Sequence, residues 1–156
     1  MAQGEFALVR NYLEVAIGKT ASWVGEHDLY AMLADAAAQQ RDTSSLLRFA
    51  SLAEEFASRY DHKLYQAIAH RAWGVAHHLA GQYPEAESRL RQALELFQGL
   101  ETRWQIGRTF FELGELNISR ADQIVAREQF SHALEVFENI GAFPDIARVR
   151  ERLGPG

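Results

Sequence analysis

At 156 residues, with 47% hydrophobic and 24% charged residues, the chain has the size and composition of one globular domain rather than a disordered segment. A formal net charge of −5 argues against a nucleic-acid module, which needs a basic stripe to displace phosphate counterions. The absence of cysteine excludes disulfides, thiol catalysis and cysteine-ligated zinc, and no apolar run approaches the roughly 20 residues that span a bilayer.

Elements in chain order begin with a lone helix predicted near 4–18. The opening Met1-Ala2-Gln3-Gly4-Glu5 lacks the basic-then-apolar pattern of a signal peptide, so a cytoplasmic location is expected. Prolines occur only at 84, 144 and 155, and the Ala-, Leu- and Glu/Arg-rich stretches between them favour helix. Paired helices are expected near 26–40 and 43–60. Glu26-His27-Asp28, following Gly25, reads as a helix start, where acids cap free amides and meet the helix dipole. The next pair is expected near 62–80 and 84–99, joined by Gly81-Gln82-Tyr83-Pro84. Gly81 suits the left-handed position after a helix end, and Pro84 suits the first turn of the next helix. A third pair follows near 102–119 and 122–140, then a last helix near 144–153. Arg148, Arg150, Glu151 and Arg152 make that helix a water-exposed cap, and Gly154-Pro155-Gly156 stops it.

The strongest signal is an internal repeat. Leu113-Gly114 follows Trp73-Gly74 by 40 residues, and the same offset relates Ala126 to Ala86, Phe130 to Leu90, and Ala133-Leu134 to Ala93-Leu94. A further step back reaches Leu33-Ala34, Leu46, Ala50 and Ala53, and a step forward reaches Leu153-Gly154. A fixed period of this length marks a stacked array of supersecondary units. Within the second unit, Ala69, Trp73, Ala76 and Ala80 form one helical stripe, and Ala86, Leu90, Ala93, Leu94 and Phe97 form another, so the unit is a helical hairpin.

These residues resemble the tetratricopeptide (TPR) signature. The second unit offers His70, Trp73-Gly74, His77, Ala86, Leu90 and Ala93; the third offers Phe110, Leu113-Gly114, Asn117, Ala126, Phe130 and Ala133. Gly74 and Ala86 would let paired helices approach, while Leu90 and Phe130 fill the space between units. The period is 40 rather than 34, the terminal proline is replaced by Ser58, Gln98 and Glu138, and the first unit is degenerate. The longer period looks like the variant found in bacterial signalling and transcription regulators. The resemblance implies an all-α, right-handed α-solenoid of antiparallel hairpins with about eight helices. Its expected frame is a lone helix at 4–18, repeats at 27–66, 67–106 and 107–146, and a capping helix and tail at 147–156, all in one domain spanning 1–156. In that scheme the lone helix acts as the second half of a missing unit.

The resemblance further implies a non-catalytic scaffold, regulatory in character, that binds a protein or peptide in a concave groove. By alignment to the family, the groove would be lined by Ile68, Arg71, Val75, His78 and Leu79, then Arg108, Phe111, Glu115 and Ile118, with Arg148 closing the row. Apolar residues there mark either a contact site or a buried core, and periodicity alone does not separate the two. The Lys/Asn clamp of chaperone-tail binders falls here on Ala31, Asp35, Ala72, Arg108 and Glu112. Only Arg108 carries the right charge, so that mode is not expected.

No phosphate loop, dinucleotide fingerprint, metalloprotease helix or nucleophile elbow occurs, so no enzyme activity, cofactor or metal is expected. His70 and His77 lie two helical turns apart, about 10 Å, too far to share one metal. Both fall on packing positions. An alternative function is self-association of a larger regulator through the edge helices, using Phe6, Leu8, Val9 and Tyr12 at one end and Phe143, Ile146 and Val149 at the other. Neither nucleic acid nor membrane is an expected partner.

Overall fold

The computed structural model describes residues 26–154, which form seven helices and no strand. These are α1 (Glu26–Gln40), α2 (Thr43–Arg59), α3 (Lys63–Leu79), α4 (Tyr83–Gly99), α5 (Arg103–Ser119), α6 (Gln123–Ile140) and α7 (Phe143–Leu153). The lone helix expected at 4–18, with Phe6, Leu8, Val9 and Tyr12, lies outside the described residues. The hairpins are α1/α2, α3/α4 and α5/α6, so the expected 40-residue windows cut α3, α5 and α7 in mid-helix. They are the same repeat counted from a different starting point.

Every junction is built alike. Arg41, Asp61, Gly81, Glu101, Ala121 and Gly141 each take a left-handed conformation, with φ between 47° and 75° and successive positions 20 residues apart. The amide after each one bonds back to the carbonyl five positions earlier in the closing turn: Asp42 to Ala37, His62 to Ala57, Gln82 to His77, Thr102 to Phe97, Asp122 to Asn117 and Ala142 to Phe137. These are Schellman closures, which satisfy the orphan carbonyls at a helix end. The repeat is thus two 20-residue helix-and-turn modules, and glycine occupies the strained position in only two of the six junctions. Asp42 and Asp122 cap the next helices through Ser45 and Val125 amides, and Pro84 and Pro144 occupy first turns.

The small residues explain how closely the helices pack. A Cβ built on Gly74 would lie 2.6 Å from Leu90 Cγ, and one on Gly114 would lie 2.5 Å from the Phe130 ring. Both fall far inside van der Waals contact, so each glycine is required by the side chain opposite it in its own hairpin. Gly107 meets Phe137 at 2.7 Å in the same way, a contact whose counterpart one repeat earlier is Ala67 beside Phe97. Ala86, Leu90, Ala93, Leu113, Ala126, Phe130 and Ala133 are all buried, and Trp73 packs half-buried against the α1–α3 cluster.

The two ends of the array pack differently. α1 sits directly against α3 as well as α2, whereas α3 and α5 touch only lightly. Ala34, Ala37 and Ala38 on α1 and Ala69, Ala72 and Ala76 on α3 allow the close approach. At the other end, Ile146 and Val149 bury the apolar face of α7 against Phe130, Ala133 and Phe137 of α6. Trp104 Nε1 donates to Asp145 Oδ2 at 2.9 Å and fixes the start of α7 to α5.

Candidate functional site

Helices α1, α3, α5 and α7 face one another along the inner side of the array, and their polar side chains meet there. Arg71 of α3 is 1% exposed and holds three neighbours together. Its Nη2 donates to Asp35 Oδ1 at 2.7 Å and to Gln105 Oε1, while Nη1 donates to the Gln105 carbonyl at 3.2 Å and to Thr109 Oγ1 at 3.4 Å. Phe97 stacks beneath it, 4.9 Å from the guanidinium carbon. Burial alone would raise the Asp35 pKa, but the charges of Arg71 and Arg108 outweigh it and hold the carboxyl below its usual range. Burial lowers the Arg71 pKa, and Asp35 opposes that shift.

A second cluster lies further along the same face, between α5 and α7. Arg41, from the α1–α2 junction, places Nη1 2.8 Å from Glu112 Oε2. Arg152 pairs with Glu115 at 2.7 Å. Arg108 is 2% exposed, yet its Nη2 comes no closer than 3.8 Å to Glu112, and its Nε and Nη2 have no hydrogen-bond partner. Neither oxygen of Glu112 accepts a well-directed hydrogen bond. Arg148 lies over the Phe111 ring at 4.5 Å and makes no ion pair with a described residue. Its pKa is lowered by burial and then by the neighbouring charge of Arg108. Along this face, five arginines (Arg41, Arg71, Arg108, Arg148 and Arg152) meet three carboxylates (Asp35, Glu112 and Glu115). The inner side therefore carries a local positive surplus in a chain whose formal net charge is −5.

The structure divides the expected groove residues by depth. Ile68, Arg71, Val75, Arg108 and Phe111 are buried, so they form the wall of the inner face rather than its open surface. A charge placed at Val75 or Phe111 would report on folding, not on binding. His78, Glu115 and Arg148 are half-buried, and Leu79 and Ile118 are exposed. The histidines have separate partners: His70 Nδ1 meets Arg89 at 2.9 Å, His77 Nδ1 meets Gln82 at 2.7 Å, and His78 Nε2 meets Ser119 at 2.7 Å. Among the described residues, no group of three or more His, Asp or Glu is placed to hold a metal ion. No helix there is long and apolar enough to cross a membrane.

The tetratricopeptide repeat family model matches residues 65–139, from the first turn of α3 to the end of α6. This stretch is a tetratricopeptide repeat array. A comparison with curated proteins finds no match. Tetratricopeptide repeats are non-catalytic scaffolds that generally mediate protein–protein interaction. In this array the family's small positions are Gly74, Ala86, Gly114 and Ala126, and the large ones opposite are Leu90 and Phe130.

Self-association through α7 needs correction in one respect. Ile146 and Val149 are covered by α6, and of the three α7 residues expected to make such contacts only Phe143 is exposed. The helix spends its apolar stripe inside the chain, and its outward residues Ala147, Arg150 and Glu151 are small or charged.

Sequence reasoning missed Arg41, Gln105 and Arg152 as contributors to the inner face. Their partners lie in other helices, so no local pattern marks them. The 40-residue offset did hold one signal: it places Arg108 and Arg148 at the same position of consecutive units.

Proposed function

We propose that the inner face of the array is a concave groove that binds a partner polypeptide through an acidic segment, with the half-buried Arg148 as the receiving group and the buried Arg108 adding positive charge behind it. The observation that carries this reading is that the half-buried Arg148 makes no ion pair with a described residue, while Glu112 and Glu115 are engaged by Arg41 and Arg152. Planar guanidinium groups match carboxylates in bidentate geometry, and a partly desolvated site strengthens the pair. The exposed Leu79 and Ile118 border the same face and supply apolar contact. A scaffold of this kind acts by holding its partner, and regulation would follow from competition for that one surface.

The test is a fluorescence anisotropy titration with a labelled Glu-rich peptide and the same peptide with Gln at every Glu. Binding of the first, weakened about tenfold by Arg148→Gln and by raising the salt, supports the reading. Equal affinity for both peptides, or full affinity in the folded Arg148→Gln variant, refutes it.

A further inference from the structure

The turns between units line one long edge of the array, and two of them hold apolar side chains in the open. Leu100 and Ile140 occupy the same place in consecutive units, where α4 and α6 end, and are 40% and 37% exposed. Trp104 and Phe143 follow at the starts of α5 and α7 and are 37% and 77% exposed. The bond from Trp104 Nε1 to Asp145 Oδ2 ties the two junctions together, so the four side chains form one patch. None of them lines the groove.

The repeat shows that this exposure belongs to the edge itself. Leu100 is followed by a complete hairpin, yet it is as open as Ile140. Lys63 and Arg103 hold the place of Phe143 in the earlier units, further helices follow each of them, and both are exposed. That place takes a charged residue twice and a phenylalanine at 143. Together the four side chains open on the order of 400 Å² of apolar surface, the size of patch that marks a contact site.

The charges around the patch state what covers it. Arg103 is exposed and makes no ion pair among the described residues, and neither does the exposed Glu101 beside it. At the next junction the exposed Glu138 is held at 2.8 Å by the equally exposed Arg150. Apart from Asp145, which Trp104 engages, the rim therefore carries both signs in equal number. Such a rim selects no partner of one charge, but it complements itself when turned by 180°. We propose that this edge joins two copies of the chain about a two-fold axis between the junctions. Leu100 and Trp104 of each copy pack on Phe143 and Ile140 of the other, and Arg103 of each faces the other's Glu138. Two patches bury about 800 Å² of apolar surface, half of the roughly 1,600 Å² in a stable interface and close to the apolar share such interfaces carry.

The test is light scattering of the intact chain across about a hundredfold dilution, with the mass of two chains expected at the concentrated end. Phe143→Glu changes an exposed side chain, so circular dichroism should be unchanged while dimerisation weakens about tenfold or more. Leu100→Glu, at the other junction, should do the same. Arg103→Glu should weaken the dimer about fivefold, and adding Glu138→Arg to that variant should restore it. Arg148→Gln should leave the mass unchanged, so the dimer and the groove stand or fall separately. The mass of one chain at every concentration overturns the proposal. So does a dimer indifferent to Phe143→Glu, or a double variant no tighter than Arg103→Glu alone.

Discussion

The inner face has two halves that solve the same problem differently. Where α1 meets α3, alanines bring the backbones together, and the one buried arginine, Arg71, has a carboxylate and three oxygens from α5. Where α5 meets α7, larger side chains hold the face apart, and Arg108 and Arg148 share a region whose carboxylates are already engaged. A buried polar group with most of its donors met, as Arg71 has for both terminal nitrogens though not for Nε, stiffens its surroundings, while one left short of partners is destabilising. The contrast assigns stability to the first half, and under the proposed function recognition falls to the second.

The largest effect expected from that contrast is at Asp35. Removing its carboxylate in Asp35→Ala leaves Arg71 buried without a countercharge and should cost about 3 kcal/mol in denaturant unfolding. Arg148→Gln, at the other half, should stay within about 0.5 kcal/mol of the parent chain. Similar costs at the two positions would break the comparison.

The glycines sharpen it further. Gly114→Ala drives a methyl into the Phe130 ring and should cost about 2 kcal/mol. Gly74→Ala meets the branched end of Leu90, which can turn aside, and should cost less. Thermal unfolding of the two variants side by side decides the order; equal losses would mean that the ring and the leucine yield alike.

The smallest effect is on pH. His70 is lowered in pKa by burial and then by Arg89, and His78 by burial and then by Arg41. Their folded pKa values lie below the unfolded ones, so the unfolded chain takes up these protons first as the pH drops. The stabilisation is fully present above the unfolded histidine pKa, near 6.5, and is lost as the pH falls toward the folded values. His70→Gln keeps an acceptor for Arg89 and should flatten this acid limb of the stability curve. An unchanged limb would place the titration in other groups.

The helices and their order were legible in the sequence because their determinants are local. Apolar and small residues recur at helical spacing, Gly81 and Pro84 punctuate a turn, and the 40-residue offset exposes the repeat. Gly74 was readable as a point of close helix approach, but from the sequence Leu90 and Phe130 fall between units, whereas the structure sets each against the glycine of its own hairpin. The depth of the inner face was not. Ile68, Val75 and Phe111 fit a groove and a core equally well by periodicity, and only the tilt of each helix against its neighbour decides which atoms water reaches. Charge assignment was still less accessible. Arg41 finds Glu112 four helices onward, and Arg71 joins α1 to α5, contacts that exist only once the array has stacked. By itself, then, the sequence determined a helical repeat and the small positions where its paired helices approach, because those follow from spacing along one chain. Tertiary structure alone decided which arginines are paired within the fold and which lack an ion pair among the described residues, because an ion pair depends on distance in space and on the water excluded around it.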